Sequence, residues 1–211
     1  MSECGLLPIT LTIAAQVVRN WGSGWEEAVL PLLREQEGSS SSTVEARVIG
    51  AGLQALVKHE DGAAVTELFH AFAVTQEDFV HPMAVVELLW RSCCASESEK
   101  QEGTLTARLK VRQRTQMLVD HSLLLGSSTE GIHLHDIVLA YLRKRLPGDE
   151  MRKLHTQVVD EMVATATGCG GLEDTGTSES PFAGAWAHVA PTCPDPYILL
   201  LTCILPSVRI Q

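Results

Sequence analysis

The residues best suited to chemistry in this chain are His135 and Asp136. They close the run Ser122 to Asp136, in which an apolar stretch, a polar turn and a second short apolar stretch lead into an amphipathic segment. The pattern predicts a strand, a turn, a strand and then a helix. A histidine at such a strand-to-helix junction lies near a helix N-terminus, where unpaired N–H groups and the macrodipole attract anions. Its ring N–H could give a charge-assisted hydrogen bond to a phosphate oxygen. Asp136 is expected to be the N-cap of the helix that begins at Ile137, because a carboxylate there accepts from a first-turn N–H. The plainer alternative leaves His135 as a packing residue against the hairpin. His133, two residues back, is expected to point to the opposite strand face. A zinc site built from His133, His135 and His155 is therefore not expected, and no metal ligand is assigned.

A second cluster is Arg108, Lys110, Arg112 and Arg114. On a helix, Arg108 and Arg112 share one face, and Lys110 and Arg114 another. One reading is a recognition helix for the DNA major groove. The other is a solvated basic face paired with the acidic stretch Glu97 to Glu102, and the charge balance favours it. No Gly-x-x-x-x-Gly-Lys-Ser/Thr occurs, nor a strand ending in paired acids to hold magnesium. No Ser/His/Asp or Cys/His arrangement has a motif context. The expectation is a protein that is not an enzyme by itself, with no catalytic residue assigned.

Composition agrees with a folded domain. The chain has 211 residues and a net charge of −10, which argues against a broad nucleic-acid footprint. Its six cysteines (Cys4, Cys93, Cys94, Cys169, Cys193 and Cys203) show no Cys-x-x-Cys spacing and read as reduced thiols of a cytoplasmic protein. Leu6 to Val18 is apolar but follows Glu3 and contains Pro8, unlike a signal peptide. Ile198 to Leu205 is far shorter than the roughly 20 residues that span a bilayer. No membrane partner is expected.

The elements that must carry these residues follow from periodicity and punctuation. Leu7 to Asn20 and Trp25 to Arg34 read as a helical hairpin around the turn Trp21 to Gly24. Glu37 to Ser42 reads as a linker. Helices follow over Thr43 to Lys58, capped by Ser42 or Thr43, and over Asp61 to Phe72. Asp78 to Pro82 breaks the pattern. Pro82 then opens a helix that runs to Trp90. Leu105 to His121 is a long helix with Leu105, Leu109, Met117 and Leu118 expected inward. After the hairpin around Gly126 to Gly131 come helices over Ile137 to Arg145 and Gly148 to Thr165. Residues 168–180 have the composition of a disordered linker. The fold class is mainly α: a helical hairpin, then a winged-helix domain with one small β-hairpin. The expected organisation is 1–36, 43–166 and a linker and tail over 167–211.

Several stretches together carry a resemblance. Cys4-Gly5-Leu6-Leu7-Pro8-Ile9-Thr10-Leu11 resembles the Cys-x-Gly-Leu-Pro-Leu-Ala-Leu run that opens the helical subdomain of NB-ARC proteins, with Leu6 in place of the motif glycine. These proteins are nucleotide-switch signalling ATPases of the STAND class, of the apoptotic protease-activating and plant disease-resistance types. Leu68 to Val74, Glu77-Asp78 and Leu88-Leu89-Trp90 resemble the opening of the family's winged-helix subdomain. Leu118 to Leu124 resembles the stretch that leads to its Met-His-Asp motif, matched here by Leu134-His135-Asp136. Leu154-His155 resembles the helix after that motif in the apoptotic branch.

The resemblance covers about Cys4 to Met162. It implies that Pro8 lies near the adenine of bound ADP, that His135 meets its phosphate, and that Asp136 belongs to the same site. It implies a regulatory segment that contributes to ADP binding and autoinhibition. ADP or ATP would be held only together with a nucleotide-binding domain that the matched stretches do not include. The expected partner is that domain or another signalling protein. The alternatives are a winged-helix DNA-binding protein and a protein-interaction module without nucleotide contact.

Overall fold

The computed structural model describes residues 7–35, 43–77, 79–93 and 104–168. Helix α1 spans Pro8–Trp21, α2 Trp25–Glu35, α3 Val44–Val57 and α4 Gly62–Ala71, which tightens into a 3-10 turn over Phe72–Val74. Then come α5 (Met83–Cys93), α6 (Thr104–Asp120), strands β1 (Leu125–Ser127) and β2 (Gly131–His133), α7 (Asp136–Arg145) and α8 (Gly148–Gly168). The described part is thus mainly helical with one small antiparallel sheet. Turns and caps written in the sequence explain most of these bounds. Gly22 and Gly24 adopt φ of 70° and 90° between α1 and α2. The Thr43 hydroxyl accepts from Ala46 N–H at 3.3 Å and starts α3. Pro82 sits just ahead of α5, and its carbonyl accepts from Val85 N–H at 2.9 Å.

Helix α3 is the platform. It packs against α1, α2, α4 and α7. Its buried residues run from Arg47 to Leu56 with Gln54 alone turned out. Small residues let neighbours come close: a Cβ on Gly52 would lie 3.2 Å from Ile13 Cγ2 on α1. Ile13 and Val17 of α1 fall in the same buried cluster as Val48 and Leu56 of α3 and Leu139 of α7. The first helical hairpin and the following helices therefore share one core, across the stretch 36–42, which lies outside the described residues. Gly62 is fixed by space. A Cβ there would sit 2.2 Å from the Leu56 carbonyl oxygen and 2.7 Å from Val57 Cα.

The sheet extends further than the hairpin pattern implied. β1 and β2 pair in the register Leu125–His133, Gly126–Ile132 and Ser127–Gly131. On the other edge of β2, His81 N–H donates to the Ile132 carbonyl at 2.7 Å, and Ile132 N–H donates to the His81 carbonyl at 2.8 Å. The segment read from sequence as a mere break thus adds a one-residue bridge on the outer edge of β2. Pro82 accounts for it: proline biases the preceding residue to extended backbone and cannot continue the pairing itself. Gly131 makes the approach possible, with φ 99° and with Val80 Cγ1 only 2.5 Å from where its Cβ would be.

Helix α6 corrects an expectation. Leu105 and Leu109 were expected inward, but they are 73 % and 51 % exposed. The buried face is Val111, Arg114, Thr115 and Leu118. The apolar stripe was misphased because a core seat on this helix belongs to an arginine. Arg114 is 6 % exposed, lies 4.2 Å over the Trp90 ring and reaches Asp61 Oδ1 at 3.5 Å. Stacking hides its apolar faces while the charge keeps a carboxylate partner.

Two stability outcomes follow. Leu118 is fully buried in the core cluster, so Leu118→Ala should cost roughly 2–5 kcal/mol in denaturant unfolding. Gly62→Ala places a methyl against backbone that cannot yield, so it should cost roughly 1–3 kcal/mol despite alanine's better helix propensity. An unchanged denaturation midpoint for Gly62→Ala would show that the α3–α4 joint relaxes freely.

Candidate functional site

The hairpin and the start of α7 set His135 in place. Ile132 is buried on β2 beside the His81 bridge, and Leu134 follows it into the core at 5 % exposure. The alternation puts Ile132 and Leu134 on the inner face and His133 and His135 together on the outer one, which corrects the expectation that the two histidines face oppositely; His133 is half-buried, and the His135 side chain is 38 % exposed at the surface edge. His135 has φ −69° and ψ 141°, still extended, and α7 begins at the next residue. The N-cap seat therefore belongs to His135 and not, as expected from sequence, to Asp136. The extended backbone of the strand persists one residue further than the helix preference of aspartate suggested. Asp136 still caps, but from the first helical position: its Oδ1 accepts from Ile137 N–H at 2.7 Å. Two side chains, those of His135 and Asp136, thus meet at one N–H.

The same atoms define the proton arrangement of His135. Its Nδ1 lies 3.3 Å from Ile137 N and in direct contact with Asp136 Oδ1. If Nδ1 is bare, it shares the Ile137 N–H and the ring proton sits on Nε2. If Nδ1 carries a proton, it donates to the Asp136 carboxylate. In either case Nδ1 is occupied inside the cap, and among the described residues no partner is recorded for Nε2. With the proton on Nε2, or with both ring nitrogens protonated, an incoming anion would be met by Nε2–H; with a single proton on Nδ1 the outer nitrogen can only accept. The helix backbone offers less than the sequence reading supposed. Ile137 N–H is taken by Asp136, and Val138 N–H and Leu139 N–H donate to the His135 carbonyl at 2.9 and 3.0 Å. The imidazole is the side-chain donor this junction presents, beside a first turn in which three successive N–H groups are already taken.

Pro8 is at the first turn of α1, exposed, with its carbonyl accepting from the Thr12 hydroxyl at 2.8 Å. Among the described residues no hydrogen bond, ion pair or ring contact joins Pro8 to His135 or Asp136. The two parts are connected through α3, on which both α1 and α7 pack. Cys4, at the head of the same motif, lies outside the described residues.

The basic face of α6 is not a free recognition surface. Arg108 Nε is 2.9 Å from Glu87 Oε2 on α5, and Arg114 is the buried residue over Trp90. The acidic stretch 97–102 expected to pair with this face lies outside the described residues. Arg143 is a structural cation as well. It donates from Nε to the Ala73 carbonyl at 3.3 Å and from Nη2 to the Thr75 carbonyl at 2.7 Å. It thereby satisfies carbonyls at the end of the 3-10 turn and ties α7 to it. Among the described residues no group of three or more His, Cys, Asp or Glu could hold a metal ion, and no helix is long and apolar enough to cross a membrane.

Sequence reasoning passed over His81. Its side chain is fully buried, between Phe72 and Phe79, and neither ring nitrogen makes a hydrogen bond of good geometry, the Gln76 backbone being its one weak polar neighbour. Burial pushes its pKa down to about 4; the nearby Gln76 backbone raises it in part, and His133 lowers it. The pairing of a buried position with a following proline is the signal that could have marked it.

No family model matches this sequence, and no curated protein or solved structure matches it.

The buried neutral His81 sets a pH dependence. Its folded pKa lies below the ordinary histidine value of 6.5. Between about pH 6.5 and 4 the unfolded chain binds the proton and the folded chain does not, so stability falls as pH falls through that window. A shift of this size corresponds to about 3 kcal/mol. Burial also lowers the pKa of His70, His121 and His155, which adds in the same direction. Urea unfolding of wild type and His81→Leu at pH 7 and pH 4.5 checks this. The variant should lose less stability on acidification, and equal losses would remove His81 as a cause.

Proposed function

We propose that this chain is a regulatory segment of an NB-ARC-type nucleotide switch, comprising the end of the helical subdomain and a winged-helix subdomain. In this reading α4, α5 and α6 are the helices of the winged unit, and the β1–β2 hairpin is its wing. The observation that carries the proposal is His135. It stands at the N-cap of α7 with Nδ1 occupied by the cap and Nε2 left to meet a ligand. Together with the Leu-His-Asp run at this strand-to-helix junction, that geometry suits an imidazole that senses the terminal phosphate of ADP. The nucleotide itself would be held by a P-loop domain, since this sequence has no phosphate-cradling loop of its own. The segment would close over ADP and stabilise the off state, and it would release on exchange for ATP.

DNA binding is a weaker reading, because two of the four basic residues on α6 are committed to Glu87 and Trp90. A protein-interaction module without nucleotide contact is the alternative that the same experiment separates.

The experiment joins this chain in cis to an NB-ARC nucleotide domain and measures ADP and ATP affinity. A charge-assisted hydrogen bond removed typically costs about 1.5–3 kcal/mol. His135→Ala should therefore weaken ADP by roughly ten- to a hundredfold and ATP much less, so that the protein drifts toward its on state. Asp136→Ala should act more weakly, by loosening the start of α7. Equal ADP affinity for wild type and His135→Ala would reduce His135 to a packing and capping residue.

A further inference from the structure

Three helix ends meet at one point, and two histidines lie between them. α1 closes with Asn20 and Trp21, α3 closes at Val57 and hands over to Lys58 and His59, and α6 closes at Asp120 just before His121. The Asn20 amide nitrogen lies 3.1 Å from Nε2 and 3.3 Å from Nδ1 of His121. The His59 ring stands edge-on to the His121 ring, with centroids 5.8 Å apart. The Lys58 ammonium sits 3.4 Å over the Trp21 ring. His121 is 5 % exposed, whereas Asn20, Lys58 and His59 reach solvent. Ser122, the next residue, has φ 57°, so the chain turns sharply there towards β1. The junction thus ties the first helical hairpin to the root of the β1–β2 hairpin.

These contacts suit a neutral imidazole. A neutral ring keeps one nitrogen bare, and that nitrogen accepts from the Asn20 amide; a doubly protonated ring has no acceptor left. A flipped amide would offer its oxygen instead, but it brings no charge to balance a buried cation. The charges from the neighbouring elements do little for an imidazolium. Arg19 stands in the last turn of α1, and Lys58 comes from the end of α3. Beyond His59, Glu60 is exposed and Asp61 reaches Arg114 at 3.5 Å. Asp120 favours the charged ring, but it is exposed and already accepts from Gln116 Nε2 at 2.8 Å.

We propose that Asn20, His59 and His121 form a proton-sensitive latch, which holds the end of α1 against the turn into β1 while His121 is neutral and lets both segments loosen when it takes a proton. The latch uses neither His135 nor a nucleotide, so it stands apart from the switch reading. Burial, with His59, holds the His121 pKa below the ordinary value of 6.5 against the pull of Asp120. The latch is therefore fully in place above that pH and weakens as the pH falls below it. A single proton can weaken it by at most about tenfold per pH unit.

Amide exchange on the full-length chain at about pH 7.5 and pH 5.5, corrected for the intrinsic rate at each pH, reads the latch. The probes are Gly22, whose N–H donates to the Val18 carbonyl at 3.2 Å, and Ser122 and Leu123, whose N–H groups donate to the Val119 and Leu118 carbonyls at 2.8 and 3.0 Å. Their protection should fall on acidification in wild type. In His121→Gln, which accepts from Asn20 but does not titrate, it should stay level. Asn20→Asp should reverse the sign: its carboxylate pairs with the imidazolium, so the ring protons of His121 should titrate at higher pH and protection should hold or rise as the pH falls. Asn20 is exposed, so this variant keeps the test open even where His121→Gln folds poorly. Protection in wild type that does not change with pH would overturn the latch. The same losses in Asn20→Asp as in wild type would also overturn it, leaving His121 as a packing residue.

Discussion

Burial of α3 on nearly every side is the constraint from which the rest of the structure follows. A helix enclosed by α1, α2, α4 and α7 cannot present large side chains all round, and Gly50, Ala51, Gly52 and Ala55 supply the slack. The close approach of Ile13 to Gly52 makes the first helical hairpin part of the same core. The seats of Pro8 and His135 are both referred to this one helix, through α1 and α7. Their relative placement is thus a matter of packing on α3 and needs no direct contact.

Much of the helical plan was legible because its punctuation is local. Thr43, Pro82 and the Gly22–Gly24 turn act on their nearest neighbours, so their effects can be read from a short window. The hairpin was legible for the same reason, with two glycines at positive φ at its ends. The phase of α6 was not. Arg114 occupies a core seat only because Trp90 and Asp61 come to it from other helices, and nothing near Arg114 in sequence announces them. The exposed leucines of the same helix misled the periodicity for the complementary reason: they have no such partners among the described residues.

The candidate site was legible as a junction but not in its detail. The strand-to-helix change at His135 and Asp136 is where the pattern put it. The capping seat moved by one residue, and with it the chemistry. Because Asp136 takes Ile137 N–H and touches His135 Nδ1, the carboxylate orients the ring as well as starting the helix. That coupling depends on side-chain geometry across two adjacent residues, which residue types alone do not specify. His81 escaped notice because a buried histidine without a well-formed hydrogen bond departs from the usual rule that buried polar groups are paired.

The bridge between His81 and Ile132 also bears on how the chain reaches this structure. Its two hydrogen bonds join residues on opposite sides of α5 and α6. Bringing such distant points together from an open chain costs about 3 kcal/mol in loop-closure entropy, which two backbone hydrogen bonds barely offset. The closure becomes favourable once α5 and α6 have docked, since their packing shortens the effective loop. The His81–Ile132 bridge is therefore a late and non-local addition to a locally formed hairpin. The ring of His135 is oriented locally by Asp136, but the strand end that carries it is tied to the helical core through Ile132 and Leu134, so a core lesion far from the junction would be felt there as lost preorganisation.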